Sequence, residues 1–321
     1  MEQDLLTALW PQVVLPVTRI TFLIVLGLFV ASCIESLNWT QKLACLSRPL
    51  IRLGHLSNIT GASFSLAFFS GVSANTVLAE TYDNNQLSRR ELVLANLLNS
   101  LPRFFLHLPT VFFLTAPFIK LGAVIYVGLT FSGAALETLL VVVAGNLLLP
   151  KNQQEIYCSR TAEKTSIKEA VVNSCKRVKQ KILRILKYML PAYLLFFFLN
   201  WFGFFTLVKT QLVESGVLLG WLNPQAVGIV LLHLTVEFSA GLAAASTLLT
   251  SNTLTYHEVV IALLVGNILS TPIRALRHQY PYYTGIYKPK LALQLVIISQ
   301  LTRTFCLSSV AVAYFLCTSK I

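Results

Sequence analysis

Eight polar side chains recur in two sets along this chain, at a spacing suited to a binding site. Each set contains an amide, a hydroxyl, a guanidinium and an imidazole, and the second set follows the first at a constant interval of 171 residues. At about 3.6 residues per turn, intervals of four, three and four residues keep each set on one helix face. The two sets are Asn96, Ser100, Arg103 and His107, and Asn267, Thr271, Arg274 and His278.

These side chains are suited to binding a polar solute. Amides and hydroxyls orient a ligand through hydrogen bonds, and two arginines favour an anionic or hydrogen-bond-rich one. The same groups also hold helices together in a membrane or meet lipid headgroups, and this structural alternative stays open. Because the set is duplicated, the sequence favours a shared central site.

Three further ionisable residues, Glu137, Glu237 and Arg303, fall within apolar stretches. Charges inside a membrane are costly, so these residues are candidates for a coupling-ion or proton site. Structural ion pairs are an equal alternative, and Glu137–Arg303, Glu237–Arg303 and Glu137–Arg103 are all permitted. His233 lies four residues before Glu237, on the same helix face, where it would extend a proton relay.

The elements that carry these residues are apolar. The chain has 321 residues, of which 55% are hydrophobic and 12% charged, and its mean hydropathy is +0.69. Soluble domains carry about a quarter charged residues, so the composition excludes a soluble enzyme. It indicates an all-α polytopic integral membrane protein, with about seven or eight spanning or re-entrant helices in two repeated halves. The candidate spans are Val14–Ile34, Ile59–Ala79, Phe104–Val127, Leu129–Leu149, Leu186–Val208, Ala226–Leu249 and Leu291–Leu316.

A basic segment separates the two halves. Ten of the 25 lysines and arginines lie in residues 151–187, and the positive-inside bias places such a segment in the cytoplasm. We expect four parts, in chain order: a first span with an interfacial helix (1–57), a membrane repeat (58–149), the basic segment with an amphipathic helix (150–187), and a second membrane repeat (188–321).

The sides of the membrane predicted from the basic residues differ from the sides that follow from the number of predicted crossings. Arg48 and Arg52 favour a cytoplasmic position for residues 36–57, yet three crossings would place that loop opposite the basic segment. One segment must therefore be re-entrant, or residues 104–149 must divide differently. The polar-spotted stretch 88–103 is the candidate for the irregular piece.

Helix-start and helix-break signals are duplicated as well. Ser88 with Glu91, and Thr255 with Glu258, have the spacing of a capping box. We expect the helix starts at Glu91 and Glu258 to add their dipoles to the central site. Pro102 and Pro272 lie inside the helices that follow, where a missing amide hydrogen favours a kink or break.

One part of the chain carries recognisable motifs. Residues 66–71 read Leu-Ala-Phe-Phe-Ser-Gly, residues 87–91 read Leu-Ser-Arg-Arg-Glu, and His-Leu-Pro follows at 107–109. With these motifs, segment 65–118 resembles the nucleoside-recognition, or Gate, domain of prokaryotic membrane proteins, and 236–274 resembles it more weakly. Similar domains form the membrane part of ferrous-iron transport protein B, and occur in nucleoside transporters and spore-maturation membrane proteins. The resemblance implies a transport-type membrane fold without a defined ligand.

These observations predict a membrane transporter or gate for a small polar solute, with a nucleoside, an anion and a metal ion left open. The alternative is a non-transporting membrane scaffold whose basic helix, residues 165–187, binds partner proteins. No motif of an enzyme or of a GTPase phosphate loop is present in the sequence, so we expect no catalysis, no cofactor and no resident metal.

The expected surroundings follow from the same patterns. The lipid bilayer and the solute are the predicted partners, with a second copy or another membrane protein left open, and nucleic acid is not expected. The predicted location is the inner membrane of a prokaryote, with residues 150–187 in the cytoplasm.

Overall fold

The computed structural model describes residues 47–150, 222–235, 238–275 and 279–318, a short run at 9–15 that contains the π-helix Trp10–Val14, and isolated positions between 17 and 25 and between 186 and 202. Apart from isolated positions, the predicted spans Val14–Ile34 and Leu186–Val208 and the basic segment lie outside the described residues. Every regular element in the four continuous ranges is a helix. The helices are α1 (Ser47–Leu53), α2 (Asn58–Ala67), α3 (Gly71–Asp83), α4 (Arg89–Leu98), α5 (Ser100–Ile119), α6 (Leu121–Leu148), α7 (Pro224–Thr235), α8 (Phe238–Thr250), α9 (Tyr256–Arg274), α10 (Tyr280–Thr284) and α11 (Pro289–Thr318).

Four of these helical segments are long and apolar enough to cross a membrane. They are the combined rod α4–α5, of 31 residues, and α6, α9 and α11, of 28, 19 and 30 residues. Helices α7 and α8 are apolar but shorter. The described part of the chain is thus all-helical, with four helices long and apolar enough to cross a membrane, as predicted, while several predicted boundaries are wrong.

Residues 59–79, predicted as one span, form a helical hairpin instead. A turn separates α2 from α3, and the Ser70 hydroxyl in that turn accepts a hydrogen bond from the Ser73 amide. The Ser63 hydroxyl donates to the Ala74 carbonyl, so the two arms pack against each other. Arms of 10 and 13 residues extend about 15 and 20 Å, which is too short for a hydrocarbon core of about 30 Å.

Residues 226–249, also predicted as one span, divide in the same way. Helices α7 and α8 approach closely at Gly241, where an added Cβ would lie 3.1 Å from His233 Cβ and 3.2 Å from the Ile229 carbonyl oxygen. Because Gly241 meets residues eight and twelve positions earlier, the two arms run antiparallel. Small residues dominate α8 and permit this approach of the backbones.

The sequence predicts two spans, Phe104–Val127 and Leu129–Leu149, and their predicted boundary at residue 128 is also wrong. The chain turns at Lys120, which has φ 47° and ψ −118°, and α6 begins at the following residue. The residues on both sides of Lys120 are apolar, so hydropathy alone does not mark the turn. Helix α6 therefore begins eight residues before the predicted span.

The stretch 88–103, expected to be irregular, is helical apart from a single joint. Helix α4 ends at Leu98, and Asn99 connects it to α5. Pro102 has no amide hydrogen to donate to the Leu98 carbonyl, so the joint falls where the proline removes a helix hydrogen bond. The equivalent Pro272 does not break its helix, because α9 continues past it.

The first hairpin removes the conflict over the basic loops. Between residues 57 and 150 only α4–α5 and α6 are long enough to cross a membrane, since the arms of the hairpin are too short. Two crossings return the chain to the side from which it started. By this count, α4 begins and α6 ends at the same end of the described bundle, and on this basis we expect both basic loops on that face.

The helices in the two halves correspond in order and spacing. The pairs α2 and α7, α3 and α8, α4 and α9, and α6 and α11 begin 166 to 168 residues apart. The turns that precede α4 and α9 also agree, since Asn85 and Asn252 have left-handed φ values of 57° and 53°. In each turn the next amide bonds to a carbonyl five residues earlier, at 2.9 and 3.0 Å.

The corresponding helices α4 and α9 run in opposite directions. Helix α4 begins beside the start of α11, where the Arg89 guanidinium donates to Gln294 Oε1. Helix α9 begins beside the start of α6, where a Cβ added to Gly122 would lie 3.4 Å from the Tyr256 ring. Since α6 starts where α4–α5 ends, α4 and α9 begin at opposite ends of the bundle.

Helices α6 and α11 pack antiparallel at the centre of the bundle. A Cβ added to Gly133 would lie 3.4 Å from Leu307 Cδ1 and 3.6 Å from Leu307 Cα, so the glycine allows close approach. One turn further along α6, Glu137 interacts electrostatically with Arg303, which lies one turn earlier on α11. The packing therefore brings an acidic and a basic residue to one level of the bundle.

A glutamate connects the second hairpin to the helix that follows it. Glu258 forms a complete capping box with Thr255, whose amide and hydroxyl donate to the Glu258 carboxylate at 2.8 and 2.9 Å. The other carboxylate oxygen accepts a hydrogen bond of 3.1 Å from the Asn223 side chain, next to the start of α7. The predicted capping box thus forms, and it also holds the hairpin.

In the first half only part of the predicted capping box forms. The Ser88 hydroxyl accepts a hydrogen bond from the Glu91 amide at 3.2 Å. The Glu91 carboxylate instead accepts from the Ser57 amide at 2.7 Å and from the Thr60 hydroxyl at 3.0 Å, at the start of α2. Its negative charge therefore lies at the amino ends of α2 and α4, where it is stabilised by both helix dipoles.

Two glycines on α6 provide a test of this packing. A Cβ at Gly145 would lie 2.4 Å from the Gly54 carbonyl oxygen, whereas one at Gly128 would have no neighbour within 4 Å. We expect Gly145→Ala to destabilise the protein by about 1–3 kcal/mol, the usual cost of overpacking. Thermal unfolding in detergent should show a lower Tm for Gly145→Ala and no decrease for the matched control Gly128→Ala. Equal Tm values would contradict the close contact between α1 and α6.

Candidate functional site

The polar faces of α5 and α9 meet at a central cavity of about 410 Å³. The arginines of the two predicted sets, Arg103 and Arg274, both line this cavity. Glu137 from α6 and Arg303 from α11 line it as well. Four helices therefore bring charged groups to one cavity. The other predicted site residues on its wall are Ser100, His107 and Asn267.

A second cavity, of about 290 Å³, adjoins the first. Thr271, the remaining described hydroxyl of the predicted sets, lines this second cavity. Polar side chains form the boundary between the two spaces. The residues that line both cavities are Arg103, Arg274, Gln279, Gln300 and Arg303.

The larger cavity has a polar side and an apolar side. Helix α5 contributes to both, because its residues 100, 103 and 107 are polar and its residues 104, 108 and 111 are apolar. These two sets follow adjacent helix faces at intervals of three and four residues. The apolar wall consists of Phe104, Leu108, Val111, Val127, Phe238 and Leu307.

The two duplicated arginines are held in the same way. The Arg103 guanidinium donates to the Asn96 carbonyl at 3.4 Å and to the Asn99 carbonyl at 3.0 Å. The Arg274 guanidinium donates to the Asn267 carbonyl at 3.1 Å and to the Asn267 side-chain oxygen at 2.5 Å. Each arginine thus lies back along its own helix, on the carbonyl seven residues earlier. Because a carbonyl carries no net charge, these hydrogen bonds orient the guanidiniums and leave their positive charge in place.

The duplicated asparagines anchor each half to the other. Asn96 is buried and does not line either cavity, and its amide donates to Asn75 Oδ1 and to the Tyr283 hydroxyl, each at 3.0 Å. Asn267 lines the larger cavity and donates to the Tyr126 hydroxyl at 3.0 Å. Asn96 was predicted to contact solute, but its hydrogen bonds give it a structural position beneath the site.

Glu137 faces two of the arginines. It is 3% exposed, and it interacts electrostatically with Arg103 and Arg303. The Ser100 hydroxyl lies beside the carboxylate. Of the three pairs that the sequence permitted, Glu137 with Arg303 and Glu137 with Arg103 lie within electrostatic range of each other. The pair between Glu237 and Arg303 lies outside the described residues.

Positive charge exceeds negative charge on the walls of the two cavities. Among the described lining residues there are three guanidiniums and one carboxylate. Charges between apolar helices are stabilised by partners of opposite sign, and among the described lining residues one carboxylate accompanies three guanidiniums. The arrangement is therefore suited to holding an anion.

Sequence analysis did not identify the glutamines at this boundary. Gln300 lies one turn before Arg303 on α11 and donates to Gln279 Oε1, and Gln279 in turn donates to the Ser299 hydroxyl at 3.2 Å. The signal available in the sequence was the run of polar residues at 299, 300 and 303 inside an apolar helix. Gln279 precedes α10 and has no such signal, because only the tertiary structure brings it to α11.

Other predicted contributors lie away from the cavity or outside the described residues. Glu91 and Glu258 are not among the residues that line the two cavities, and the expected contribution of their helix dipoles to the site stays a prediction. Their carboxylates hold the hairpins instead. His233 is buried between Gly241 and Gly266, away from the cavity wall. Glu237 and His278 lie outside the described residues.

The chain is similar to uncharacterized proteins of the archaeon Methanocaldococcus jannaschii. MJ0871 and MJ1556 are each 26% identical over 282 residues, which cover 88% of this chain and 87% and 89% of theirs. MJ0880 is 24% identical over 297 residues, covering 88% of this chain and 92% of its own length. The similarity thus extends over nearly the whole of these archaeal proteins.

No protein-family model matches the chain. No solved structure matches it either. The resemblance to the Gate domain therefore depends on the motif residues in segment 65–118. What the comparisons show is distant similarity to archaeal proteins of comparable length.

The hydrogen bonds of Asn96 predict a structural effect at Tyr283. Tyr283 is fully buried, and removal of its hydroxyl leaves the Asn96 amide without one of its partners. We expect Tyr283→Phe to reduce the free energy of unfolding by about 1–3 kcal/mol, the cost of an unsatisfied buried polar group. The matched control is Tyr280→Phe on the same helix, where the ring is only half-buried. A Tm for Tyr283→Phe as high as that of the control would refute this assignment.

Proposed function

We propose that this chain is a membrane transporter for a small anion, which binds at Arg103, Arg274 and Arg303. The observation that carries the proposal is the position of these arginines. They come from three different helices, and each lines both the larger and the smaller cavity. A solute that passes between the two cavities must therefore contact the guanidiniums.

The charge of the cluster favours an anion over the other solutes that the sequence left open. Three guanidiniums with one carboxylate repel a metal cation, and they give a neutral nucleoside no advantage over water. A phosphate, sulfonate or carboxylate group forms short, charge-assisted hydrogen bonds with guanidiniums, often two to one arginine. Such a group also compensates the excess positive charge inside the bundle.

The size and walls of the larger cavity favour an organic anion. A volume of about 410 Å³ is within the range of small-molecule sites. The apolar side contains two phenylalanines, Phe104 and Phe238. An anion with an apolar body would place its charged group on the arginines and its body against these rings, because burial of apolar surface is favourable.

The arrangement of the two halves supports transport rather than binding alone. We propose that residues 58–149 and 188–321 form an inverted repeat, since their helices correspond in order while α4 and α9 run in opposite directions. Inverted repeats with short or broken helices near a central site are typical of secondary transporters, which expose the site to each side in turn. In this proposal, the two hairpins are re-entrant.

The same proposal includes the membrane in which the protein lies and the orientation of the protein in it. The relatives are archaeal, so the relevant membrane is the plasma membrane of a prokaryote. We place the basic segment in the cytoplasm, on the side of Arg48 and Arg52, by the count of two crossings and the positive-inside bias. The alternative function as a scaffold depends on residues 165–187, which lie outside the described residues.

Thermal unfolding of the purified protein in detergent tests the anion site. The ligands are benzenesulfonate, sulfate, uridine and magnesium chloride, compared at constant ionic strength. At ten times its Kd, an anion that binds only the folded protein adds about 1.4 kcal/mol of stability. We expect benzenesulfonate and sulfate to raise the Tm of the wild type, and uridine and magnesium to leave it unchanged.

Two variants separate the proposed site from other effects of salt. Arg103→Gln with Arg274→Gln should abolish the increase in Tm, because both duplicated guanidiniums are lost. The control Arg90→Gln removes one charge from an exposed position and should keep the increase. If the double variant folds and still responds to the anions as the wild type does, the anion site lies elsewhere. Loss of the response in the control as well would indicate a general effect of surface charge.

A further inference from the structure

Glu137 is the single carboxylate among the described residues that line the cavities, and it is buried. Its position depends on Gly133, one turn earlier, which lets α6 approach α11 at Leu307. Glu137 lines the larger cavity, so solute that enters this space comes close to it. This inference rests on the proposed anion site.

The charged and titratable groups around Glu137 are mainly basic. Arg103 faces it from α5, and Arg303 faces it from α11. The Cys306 thiol on α11 also interacts with it. Arg274 on α9 is coupled to Arg303 and is the next guanidinium along the wall. Among the described residues, α1 and α4 place no charged group against the carboxylate.

A bound anion competes with Glu137 for the same guanidiniums. Without solute, the ionised carboxylate supplies negative charge to Arg103 and Arg303. When an anion contacts these arginines, two negative groups share the site, and each raises the cost of the other. Protonation of Glu137 removes this repulsion, since a carboxylic acid is neutral and can donate a hydrogen bond.

We infer that Glu137 is the internal counter-anion of the arginine cluster, and that it takes up one proton as the solute anion binds. The proton comes from hydronium in the aqueous solution that reaches the cavity: its O–H bond breaks as a carboxyl O–H bond forms on Glu137, and a water molecule is released. The proton returns to water when the anion leaves. For a solute with one negative charge, anion and proton together carry no net charge, so the protein acts as a proton-coupled anion symporter.

Linkage gives the sign of the expected pH dependence. Because proton uptake accompanies anion binding, a lower pH favours the anion complex, by up to about tenfold in Kd per pH unit for one proton. Benzenesulfonate is a suitable probe, because its own charge does not change between pH 5.5 and pH 8. Its Kd is obtained from Tm as a function of concentration, at constant ionic strength.

We expect the wild type to bind benzenesulfonate more tightly as the pH falls from 8 to 5.5. Glu137→Gln mimics the protonated carboxyl group, so its Kd should be low at every pH and show no such dependence. The matched control Glu80→Gln removes an exposed carboxylate on α3, away from both cavities, and should keep the wild-type dependence. Retention of that dependence in Glu137→Gln, or its loss in Glu80→Gln, overturns the inference.

Two measurements on the wild type keep the test independent of the variant's folding. In weakly buffered solution, a pH indicator should show uptake of about one proton per benzenesulfonate bound. Infrared difference spectra should show a new band of a protonated carboxyl group. Binding without proton uptake would refute the role of Glu137 and leave the anion site standing. Absence of benzenesulfonate binding at every pH would refute the proposed function itself.

Discussion

An excess of positive charge on the described walls of two cavities, between apolar helices, is the constraint on which the rest of this structure depends. Arg103, Arg274 and Arg303 line the same two cavities, and Glu137 is the one carboxylate among the described lining residues. Moving charge from water into an apolar interior is costly, so such groups persist where they have partners or a function. Part of the cost is offset by hydrogen bonds from Arg103 and Arg274 to the backbone carbonyls of Asn96 and Asn267. The negative charge of Glu137 offsets a further part.

The packing of the surrounding helices leaves a cavity beside the arginine cluster. The hairpins α2–α3 and α7–α8 are held at their starts by Glu91 and Glu258, and small residues allow their arms to pack closely. Helices α6 and α11 cross antiparallel at Gly133, which brings Glu137 to the level of Arg303. A cavity of about 410 Å³ thus remains between helices that are otherwise in contact.

Duplication has different consequences for the different residues of the polar set. The two arginines share one geometry, since each donates to the carbonyl seven residues earlier. The two asparagines are both buried, only Asn267 lines a cavity, and each bonds to a tyrosine from the other half of the chain. The structure therefore uses one repeated pattern both to present charge to a cavity and to join the halves.

Much of this arrangement was determined by the sequence alone. Composition indicated an all-helical chain with membrane-crossing helices, and the interval of 171 residues identified both arginines on the cavity wall. Local patterns are sufficient there, because hydropathy and helix periodicity are properties of neighbouring residues. The turn at Lys120 was missed, because apolar residues lie on both sides of it.

Tertiary structure decided the division into hairpins, the proximity of Glu137 to Arg103 and Arg303, and the recruitment of Gln279 and Gln300. Hairpin arms and spans have the same hydropathy, and they differ only in whether the backbone folds back on itself. The neighbours of a charged side chain depend on how distant helices cross. Neither the folding back of a hairpin nor the neighbours of a charged side chain depends on nearby residues alone, so both are seen only in the packed bundle.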